Sequence, residues 1–444
     1  MTLWRVGCFA MVAAVLGGCG AAPDVRPDGA LAGDVDAPPG GPDAAPPVSP
    51  SDPFYDVGTI VDVRLTISPA DLATLDADPS AGIYVPGTFD AMGITVPMVG
   101  IRYKGNSSLA RAGSKKSFKI DMNEYVADQR FLGLGTVNLN NTVLDPSMER
   151  EVSAYELFRG FGVIASRANY ARVLVNGEYW GLYVNVEEVD KRFLARTFSD
   201  NDGNLYKQYA PATLEYRGPS PSSYDTGTYQ KKTNETENDW SDLISLCQLL
   251  ATDDLAMLET RLPQMFDVRS YLRWLAVNTY LSHIDAYTGL ADNYYLYRDP
   301  ATDRFVYIPW DLDITFGTAG HAGTTTAFLL DWNIYNPQIP SPAGTRPLLT
   351  KVLAIPAWRA EYTADLAELV DGGAVSTRLT DAITQRRALI MQAALHDPRK
   401  PYSDSEFTRS LDEDILATGS GPPAVIGIRA FVQSRTPKVL AQLP

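Results

Sequence analysis

Apolar and polar side chains alternate in several short segments of the first half of the chain, which is the pattern of half-buried β-strands. Between the last two of these segments, Asn176-Gly177 supplies the residues of a tight turn and predicts a β-hairpin. The predicted strands are residues 57–67, 83–89, 94–103, 115–120, 170–175 and 179–186. This half of the chain therefore predicts a β-rich region.

Apolar residues recur at helical spacing through most of the second half. Before it, Asp145-Pro146-Ser147 is a start signal for a helix whose apolar stripe includes Val152 and Phe158. The predicted helices are residues 70–76, 148–159, 191–198, 239–250, 255–261, 268–283, 364–369, 375–395 and 424–443. Strands first and helices afterwards predict an α+β fold.

One hairpin interrupts the helical half. Residues 294–298 and 304–308 read as two strands, and a turn rich in Asp, Pro and Thr separates them. Polar oxygens flank the pair, with Asp285 and Asn293 before the first strand and Asp311 and Asp313 after the second. Pairing of the strands brings both flanks to one end of the hairpin. Carboxylate and amide oxygens are the ligands that Mg²⁺ or Mn²⁺ prefers.

Protein kinases place similar residues around a hairpin, with a catalytic Asp, then an Asn, then a metal-binding Asp. By that comparison Asp285 is the candidate to orient an attacking hydroxyl or accept its proton. Asp311 is the first candidate metal ligand and Asn293 the second, while Asp313 either joins them or holds the loop. The gap of eight residues from Asp285 to Asn293 is longer than in standard kinases, so a standard kinase domain is not expected. The alternative is an acidic turn in an ordinary core.

The β-rich half holds candidates for contacts with a nucleotide: Arg102, Lys116, Lys119, Glu151 and Glu188. A small residue and Lys119 on one strand face match the spacing that kinases use for their phosphate-binding lysine. Both lysines remain candidates, and the alternative is that they are solvated. Glu151, in the first turn of a helix, either pairs with a strand lysine or complements the helix dipole. The chain has neither a Gly-x-Gly-x-x-Gly loop nor a Walker lysine motif.

The run from Asp292 through Ile308-Pro309-Trp310-Asp311 to Gly317 resembles the CotH family of atypical kinases. Further similar blocks begin at Phe131, Asn176 and Glu188. The resemblance implies an atypical protein-kinase-like two-lobed fold, with a β-rich N-lobe over residues 54–190 and a mainly helical C-lobe over 191–444. Glu188 falls in the predicted hinge. ATP with Mg²⁺ or Mn²⁺ is the implied cofactor set, and a Ser or Thr hydroxyl of a protein is the implied acceptor.

Two alternatives stay open: a non-catalytic surface or envelope protein with the same fold, and a transferase of another group such as AMP or glutamate. Three histidines argue against a histidine zinc site, so His283 is expected to pack under the loop. A serine-hydrolase interpretation fails because Gly-x-Ser-x-Gly is absent.

The amino terminus resembles a bacterial lipoprotein signal. Arg5 precedes an apolar run over residues 6–16, and small residues lead to Cys19. We expect a signal peptide over 1–18, a lipid on Cys19 that anchors the chain to a membrane, and a disordered tether over 19–53. These features predict an exported protein of the cell envelope, in the outer membrane or on the surface, that acts on a protein substrate there.

The chain has 444 residues with a net charge of −15 and a sequence pI near 4.7. Such an acidic balance argues against a nucleic-acid partner. If Cys8 leaves with the signal peptide and Cys19 carries lipid, Cys247 is the one remaining thiol, so no intrachain disulfide is expected.

Overall fold

The structure, a computed structural model, describes residues 49–105, 107–110, 113, 115–319, 323–339, 345–416 and 424–444. The predicted signal peptide, Cys19 and the tether up to residue 48 lie outside the described residues, as does Asn106. The last residues of the predicted tether are described. A 3-10 helix at Asp52–Tyr55 begins the folded part, and Arg167 holds it through Asp52 and Ser51.

Seven strands form a closed barrel in the order β1-β2-β3-β4-β5-β7-β6. The strands are antiparallel except at the closure, where β1 runs parallel to β6. Their bounds are β1 Ile60–Ile67, β2 Val85–Ala91, β3 Ile94–Lys104, β4 Ser117–Asp121, β5 Thr136–Asn140, β6 Ala168–Val175 and β7 Glu178–Val186. Each strand predicted in the first half is present, and β5 is an addition.

Strand register aligns one polar face of the barrel. Arg102 of β3 pairs with Lys119 of β4, and Lys119 pairs with Asn138 of β5. Lys104 ends β3 two residues after Arg102 and therefore lies on the same face. The opposite face of these strands is buried in an apolar core that includes Ile101, Phe118 and Val137. The barrel therefore presents a row of cationic and amide side chains outside its core.

A second sheet has the order β11-β10-β8-β9. Its strands are β8 Leu205–Gln208, β9 Tyr229–Lys231, β10 Tyr294–Asp299 and β11 Arg304–Pro309. The hairpin β10–β11 confirms the prediction, since Tyr294 pairs with Pro309 and Asp299 with Arg304. A two-stranded sheet pairs β12 Ile415–Leu416 with β13 Ala424–Val425.

Helices make up most of the remaining regular secondary structure among the described residues. Their bounds are α1 Pro69–Ala77, α2 Ser107–Ala110, α3 Arg150–Gly160, α4 Lys191–Thr197, α5 Ser241–Leu250, α6 Leu255–Met265, α7 Val268–Tyr280, α8 Thr326–Leu330, α9 Pro347–Ala354, α10 Pro356–Asp371, α11 Thr380–Leu395, α12 Asp404–Arg409 and α13 Ile428–Leu440. The nine predicted helices correspond to elements of this set, with shifted ends. Short helices such as α9 and α12 escape sequence analysis.

Apolar packing joins the barrel to the helices. One core lies inside the barrel. A larger core combines α5, α7 and α10 with α3 and with Tyr170 and Val184 from β6 and β7. The fold thus mixes helices and sheets, which agrees with the predicted α+β class at that coarse level. Because barrel strands contribute to both cores, the two apolar cores do not separate the chain at residue 190. The two-lobed arrangement and its domain limits stay predictions.

Helix length and composition also bear on membrane insertion. Within the described ranges, no helix is both long enough and apolar enough to cross a bilayer.

Candidate active site

The hairpin gathers polar oxygens at its open end. The Trp310 amide N–H donates to the Asn293 carbonyl oxygen at 3.0 Å, which holds the two flanks side by side. Asn293 Nδ2 donates to the backbone oxygen of Asp285 at 3.0 Å. The Asp311 amide N–H donates to Tyr155 Oη of α3 at 3.2 Å, which ties the second flank to that helix. Both Asn293 and Asp311 have a positive φ of 55°, which Asn and Asp tolerate better than most residues.

Burial and neighbouring carboxylates raise the pKa of Asp285, Asp292 and Asp313. Burial, with the charges of Asp292 and Asp311, holds the pKa of Asp285 well above its usual range. Burial, with the charges of Asp311, Glu151 and Asp285, does the same to the pKa of Asp313. Burial raises the pKa of Asp292 to about 6. Coulomb coupling of this kind requires close approach. The structure therefore brings the four hairpin-flank residues together, and their chemical roles stay predictions.

A hydrogen-bonded chain of three side chains, from Lys104 through Asn140 to Glu151, faces the acids from the barrel. Lys104 Nζ donates to Asn140 Oδ1 at 2.8 Å and to Asn138 Oδ1 at 3.3 Å. Asn140 Nδ2 in turn donates to both carboxylate oxygens of Glu151 at 2.9 Å. Glu151 lies in the first turn of α3, whose amino terminus favours negative charge. Glu151 is therefore connected to a strand lysine only through an amide, and that lysine is Lys104, which was not among the predicted candidates.

Burial and neighbouring charges shift the pKa of Lys104 and of Glu151, the two ends of this hydrogen-bonded chain. Burial lowers the pKa of Lys104 to about 8, and the charges of Glu188, Asp311 and Glu151 oppose that shift. Burial and the Asp311 charge raise the pKa of Glu151 to about 8, against the hydrogen bond from Asn140 and the charge of Lys104. The cluster thus lacks the positive charge that would keep all its carboxylates ionised near neutral pH.

Glu188 lies just after β7, and the charges of three lysines act on its carboxylate. Asn138 Nδ2 donates to its Oε2 at 2.6 Å, and Lys119 Nζ lies 3.4 Å from its Oε1. Burial opposes ionisation, but the charges of Lys119, Lys207 and Lys104 and the Asn138 hydrogen bond lower the pKa of Glu188 to about 2. Glu188 is therefore a carboxylate, placed between the barrel and the second sheet.

The two other predicted nucleotide contacts are placed differently. Lys116 Nζ donates to the Leu109 carbonyl oxygen at 3.1 Å and lines a separate cavity of about 620 Å³ beside Trp180. The structure does not bring Lys116 to the acid cluster. The guanidinium of Arg102 stacks 5.2 Å from the centre of the Tyr84 ring, on the barrel face that also carries Lys104 and Lys119.

The loop after β3 is tight. Gly105 has a φ of +121°, and a Cβ there would lie 2.2 Å from Ser108 Oγ. Only glycine fits this turn without displacement of Ser108. The turn directly follows Lys104, at the end of β3.

Four further polar residues of the site were not predicted from the sequence: Lys104, Asn138, Asn140 and Lys207. A signal was present for the two amides, because residues 136–140 read Thr-Val-Asn-Leu-Asn, an alternation typical of a strand with one polar face. Lys104 likewise follows Arg102 at strand spacing. Neither signal says that β5 pairs with β4 and β7, and that pairing is what brings the amides to the lysine.

The donor set fits a hard divalent ion. Among the described residues, no three His, Cys, Asp or Glu side chains form a ready metal cage. Mg²⁺ in phosphoryl-transfer sites is usually held by one or two protein oxygens, with phosphate and water completing the shell. Asp311 and Asn293 supply such a pair, and the excess of carboxylates with raised pKa would accept a cation. His283 is buried with Nδ1 at 3.2 Å from the Ile314 carbonyl oxygen, consistent with the expected packing role.

The family described as CotH kinase protein matches residues 101–417. Because that match covers well over half of the chain, the protein belongs to the CotH kinase family, and the predicted resemblance is confirmed. Membership makes it a kinase-like protein.

Individual relatives agree with the family match. The "Inner spore coat protein H" of Bacillus subtilis (strain 168) is 30% identical over 262 residues, which are 58% of this chain and 69% of that protein. "Invasin CotH2" of Rhizopus delemar is 25% identical over 189 residues, which are 39% of this chain and 30% of that protein. Among solved structures, the Shewanella oneidensis MR-1 toxin–antitoxin system HipA and HipB with operator DNA contains a chain with a TM-score of 0.34 and 12% identity. The comparison covers 86% of this chain and 71% of that chain.

Proposed function

We propose that this protein is an atypical kinase that transfers the γ-phosphoryl group of ATP to a Ser or Thr hydroxyl of another protein. The observation that carries the proposal is the meeting of two clusters from distant parts of the chain. Lys104, Asn140 and Glu151 come from the barrel and α3, while Asp285, Asn293 and Asp311 come from the hairpin. Phosphoryl transfer needs such positioning and charge neutralisation more than covalent help.

Lys104 is our candidate for the phosphate-binding lysine. Its ammonium is held in place by two amide oxygens, and Asn140 connects it to Glu151. Pre-positioning of this kind reduces the entropy lost when the lysine meets an anion. Lys119 is already engaged by Glu188, which supports assigning it to the wall of the nucleotide site instead of the phosphates.

Asp311 and Asn293 are the residues that would hold Mg²⁺ or Mn²⁺, with Asp313 beside them. A bound ion of this type would neutralise charge on the phosphates. Asp285 would orient the acceptor hydroxyl and accept its proton, because the hydrogen bond from Asn293 Nδ2 to its backbone oxygen holds it beside the residues that would bind the metal.

The setting of the reaction is also a proposal. The lipoprotein-like amino terminus supports export and anchoring through a lipid on Cys19, so the partners would be a membrane and a protein substrate of the cell envelope or surface. The acidic net charge of −15 supports the absence of a nucleic-acid partner.

The test is transfer of label from [γ-³²P]ATP to the protein itself or to envelope extracts, with Mg²⁺ or Mn²⁺. We expect Asp285→Asn and Asp311→Asn each to lower incorporation by at least about 100-fold, since each removes a group that acts at the reacting atoms. Both replacements keep the size of the side chain and remove only its charge.

Asp303→Asn is the matched control. Asp303 lies at the other end of the same hairpin, is largely exposed, and pairs with Arg298. It should transfer label at the rate of the unaltered protein. Equal label in all variants, or none in any, would favour a non-catalytic binding protein. Label that comes from [α-³²P]ATP instead would favour transfer of AMP.

A further inference from the structure

Lys207 lies in the middle of β8, on the wall of the site that faces the barrel. It pairs across the sheet with Tyr295 of β10. Its ammonium lies 5.1 Å from the ring centre of Tyr209, 5.5 Å from that of Trp310 and 5.6 Å from that of Tyr295. Contacts with several ring faces hold a cation in place without using its hydrogen-bond donors.

The donors of Lys207 have no acceptor among the residues that the structure describes, and no carboxylate there lies within ion-pairing distance of it. The two other lysines near Glu188 differ, because Lys104 donates to Asn138 and Asn140, and Lys119 pairs with Glu188. An ammonium carries three donors and is costly to leave half-buried without acceptors. Lys207 is thus positioned for a group that is not part of the described chain.

The charge of that group follows from the neighbours. Lys104 and Lys207 both lie near the Trp310 ring, at 5.7 Å and 5.5 Å from its centre. The charge of Lys207 contributes to the lowered pKa of Lys104, so the two ammonium groups repel each other. Glu188 offsets part of that repulsion, because the charges of Lys207 and Lys104 both lower its pKa. A further anion between the two ammonium groups would remove the rest and fill the unused donors. Because the lysines come from opposite walls, an extended anion with charge along its length suits them better than a single carboxylate.

We propose that Lys207 is a second polyphosphate-binding residue, which acts from the second sheet opposite Lys104 and contacts a nucleoside triphosphate. The inference rests on the proposed ATP-dependent function and adds a residue to its site. The inference predicts that the affinity for the triphosphate depends on a positive charge at position 207. This dependence should be measurable by binding alone, independently of the rate of phosphoryl transfer.

The experiment is calorimetric titration of the full chain with ATP and Mg²⁺. Lys207→Met and Lys207→Gln should weaken ATP binding by about 10- to 100-fold, the range expected for loss of a charge-assisted contact. Lys207→Arg keeps the charge and should stay within about threefold of the unaltered protein. The control is Lys438→Met, which removes the same charge from α13, where Lys438 pairs with Asp331, and should bind ATP normally. Thermal melts of all variants report folding.

Each result decides the question. ATP binding within about twofold of normal in Lys207→Met and Lys207→Gln would overturn the inference and leave the proposed function standing. Equal weakening in the Met, Gln and Arg variants would also overturn it, because such a result would assign Lys207 to packing against Tyr295 and Trp310. An unaltered protein that takes up no ATP would refute the proposed function and this inference together.

Discussion

At the scale of the residue, the site depends on which side chain a strand presents to which neighbour. Lys104 and Lys119 share one face of the barrel, yet they engage different partners, the Asn140–Glu151 pair for one and Glu188 for the other. Alternation along each strand predicts that both face out of the barrel core. Their division between two carboxylates follows from strand register, which no local pattern contains.

Cys247 provides a prediction about a single side chain. It is fully buried in α5, and burial raises the pKa of its thiol to about 12. Since the thiolate is the reactive species, Cys247 should be inert in the folded protein. Titration with Ellman's reagent should give the same thiol count for the unaltered chain and Cys247→Ala under native conditions. In urea the counts should differ by one. A native difference of one thiol would show that Cys247 is accessible.

At the scale of the element, local sequence predicted the ends of helices and the turns of hairpins best, because capping and turn residues require particular backbone angles. Ser68 caps α1 by accepting the Asp71 amide N–H, and Pro69 takes the first helical position, two local features typical of a helix start. Asn176 and Gly177 take the positive φ values of 52° and 84° that the predicted hairpin turn requires. β5 and β8 have five and four residues, and segments so short form strands only because neighbours pair with them.

The cap of α4 yields a pH prediction. Asp190 accepts the amide N–H groups of Arg192 and Phe193 at 2.8 Å and 3.1 Å. Burial and the charges of Glu188 and Glu187 raise its pKa from 3.8 to about 6, against those hydrogen bonds. A raised acid pKa means that the folded state binds the proton more tightly. This contribution to stability is complete below pH 3.8 and is lost as the pH rises through 6.

Asp190→Asn keeps the cap, because Asn is as good an N-cap as Asp, and removes the charge. The free energy of unfolding of this variant should match that of the unaltered protein near pH 4 and exceed it at pH 7.5 by up to about 3 kcal/mol. Urea denaturation across that range measures the difference. Asp254→Asn is the control, since Asp254 caps α6 at an exposed position. Parallel pH profiles for Asp190→Asn and the unaltered protein would contradict the prediction.

At the scale of the whole molecule, the segment after α11 is joined to the barrel by a buried ion pair. Lys115 Nζ lies 2.7 Å from Asp397 Oδ2, and both side chains are fully buried. The Leu182 N–H also donates to Asp397, and the Leu182 carbonyl oxygen accepts from Lys115. Gly181 makes the approach possible, because a Cβ there would lie 2.4 Å from Asp397 Oδ1.

Removal of one partner of the Lys115–Asp397 pair should lower the free energy of unfolding. Lys115→Met would leave the Asp397 carboxylate buried without its cation, and we expect a loss of about 3–5 kcal/mol in the free energy of unfolding. The exposed pair of Arg409 and Glu413 is the control, and Arg409→Met should cost about 1 kcal/mol or less. Urea denaturation compares them. A loss for Lys115→Met no greater than that of the control would mean that the pair adds little to the joining of these segments.

The candidate site was predictable in part for the same reason that the fold was. Asn293 and Asp311 directly flank one hairpin, so local pairing brings them together. Asp285 and Asp313 lie within a few residues of those flanks, and Asn293 bonds to the Asp285 backbone. The lysine chain needs β3, β5 and α3 in one place, and its members are separated by up to 47 positions in the sequence, from Lys104 to Glu151. Such contacts depend on loop closures that no short window of sequence describes.

Features that depend only on neighbours in the chain could be predicted from the sequence alone. They are the alternation along the barrel strands, the helix caps, the hairpin turns and the oxygen donors that flank the hairpin β10–β11. The tertiary structure alone decided that Lys104 meets Glu151 through Asn140, that Lys116 lies elsewhere, and that Lys207 faces Trp310. Burial set the shifted pKa values of the acids. The physical reason is that pairing register, desolvation and Coulomb coupling depend on distance in space, which becomes defined only when remote segments pack together.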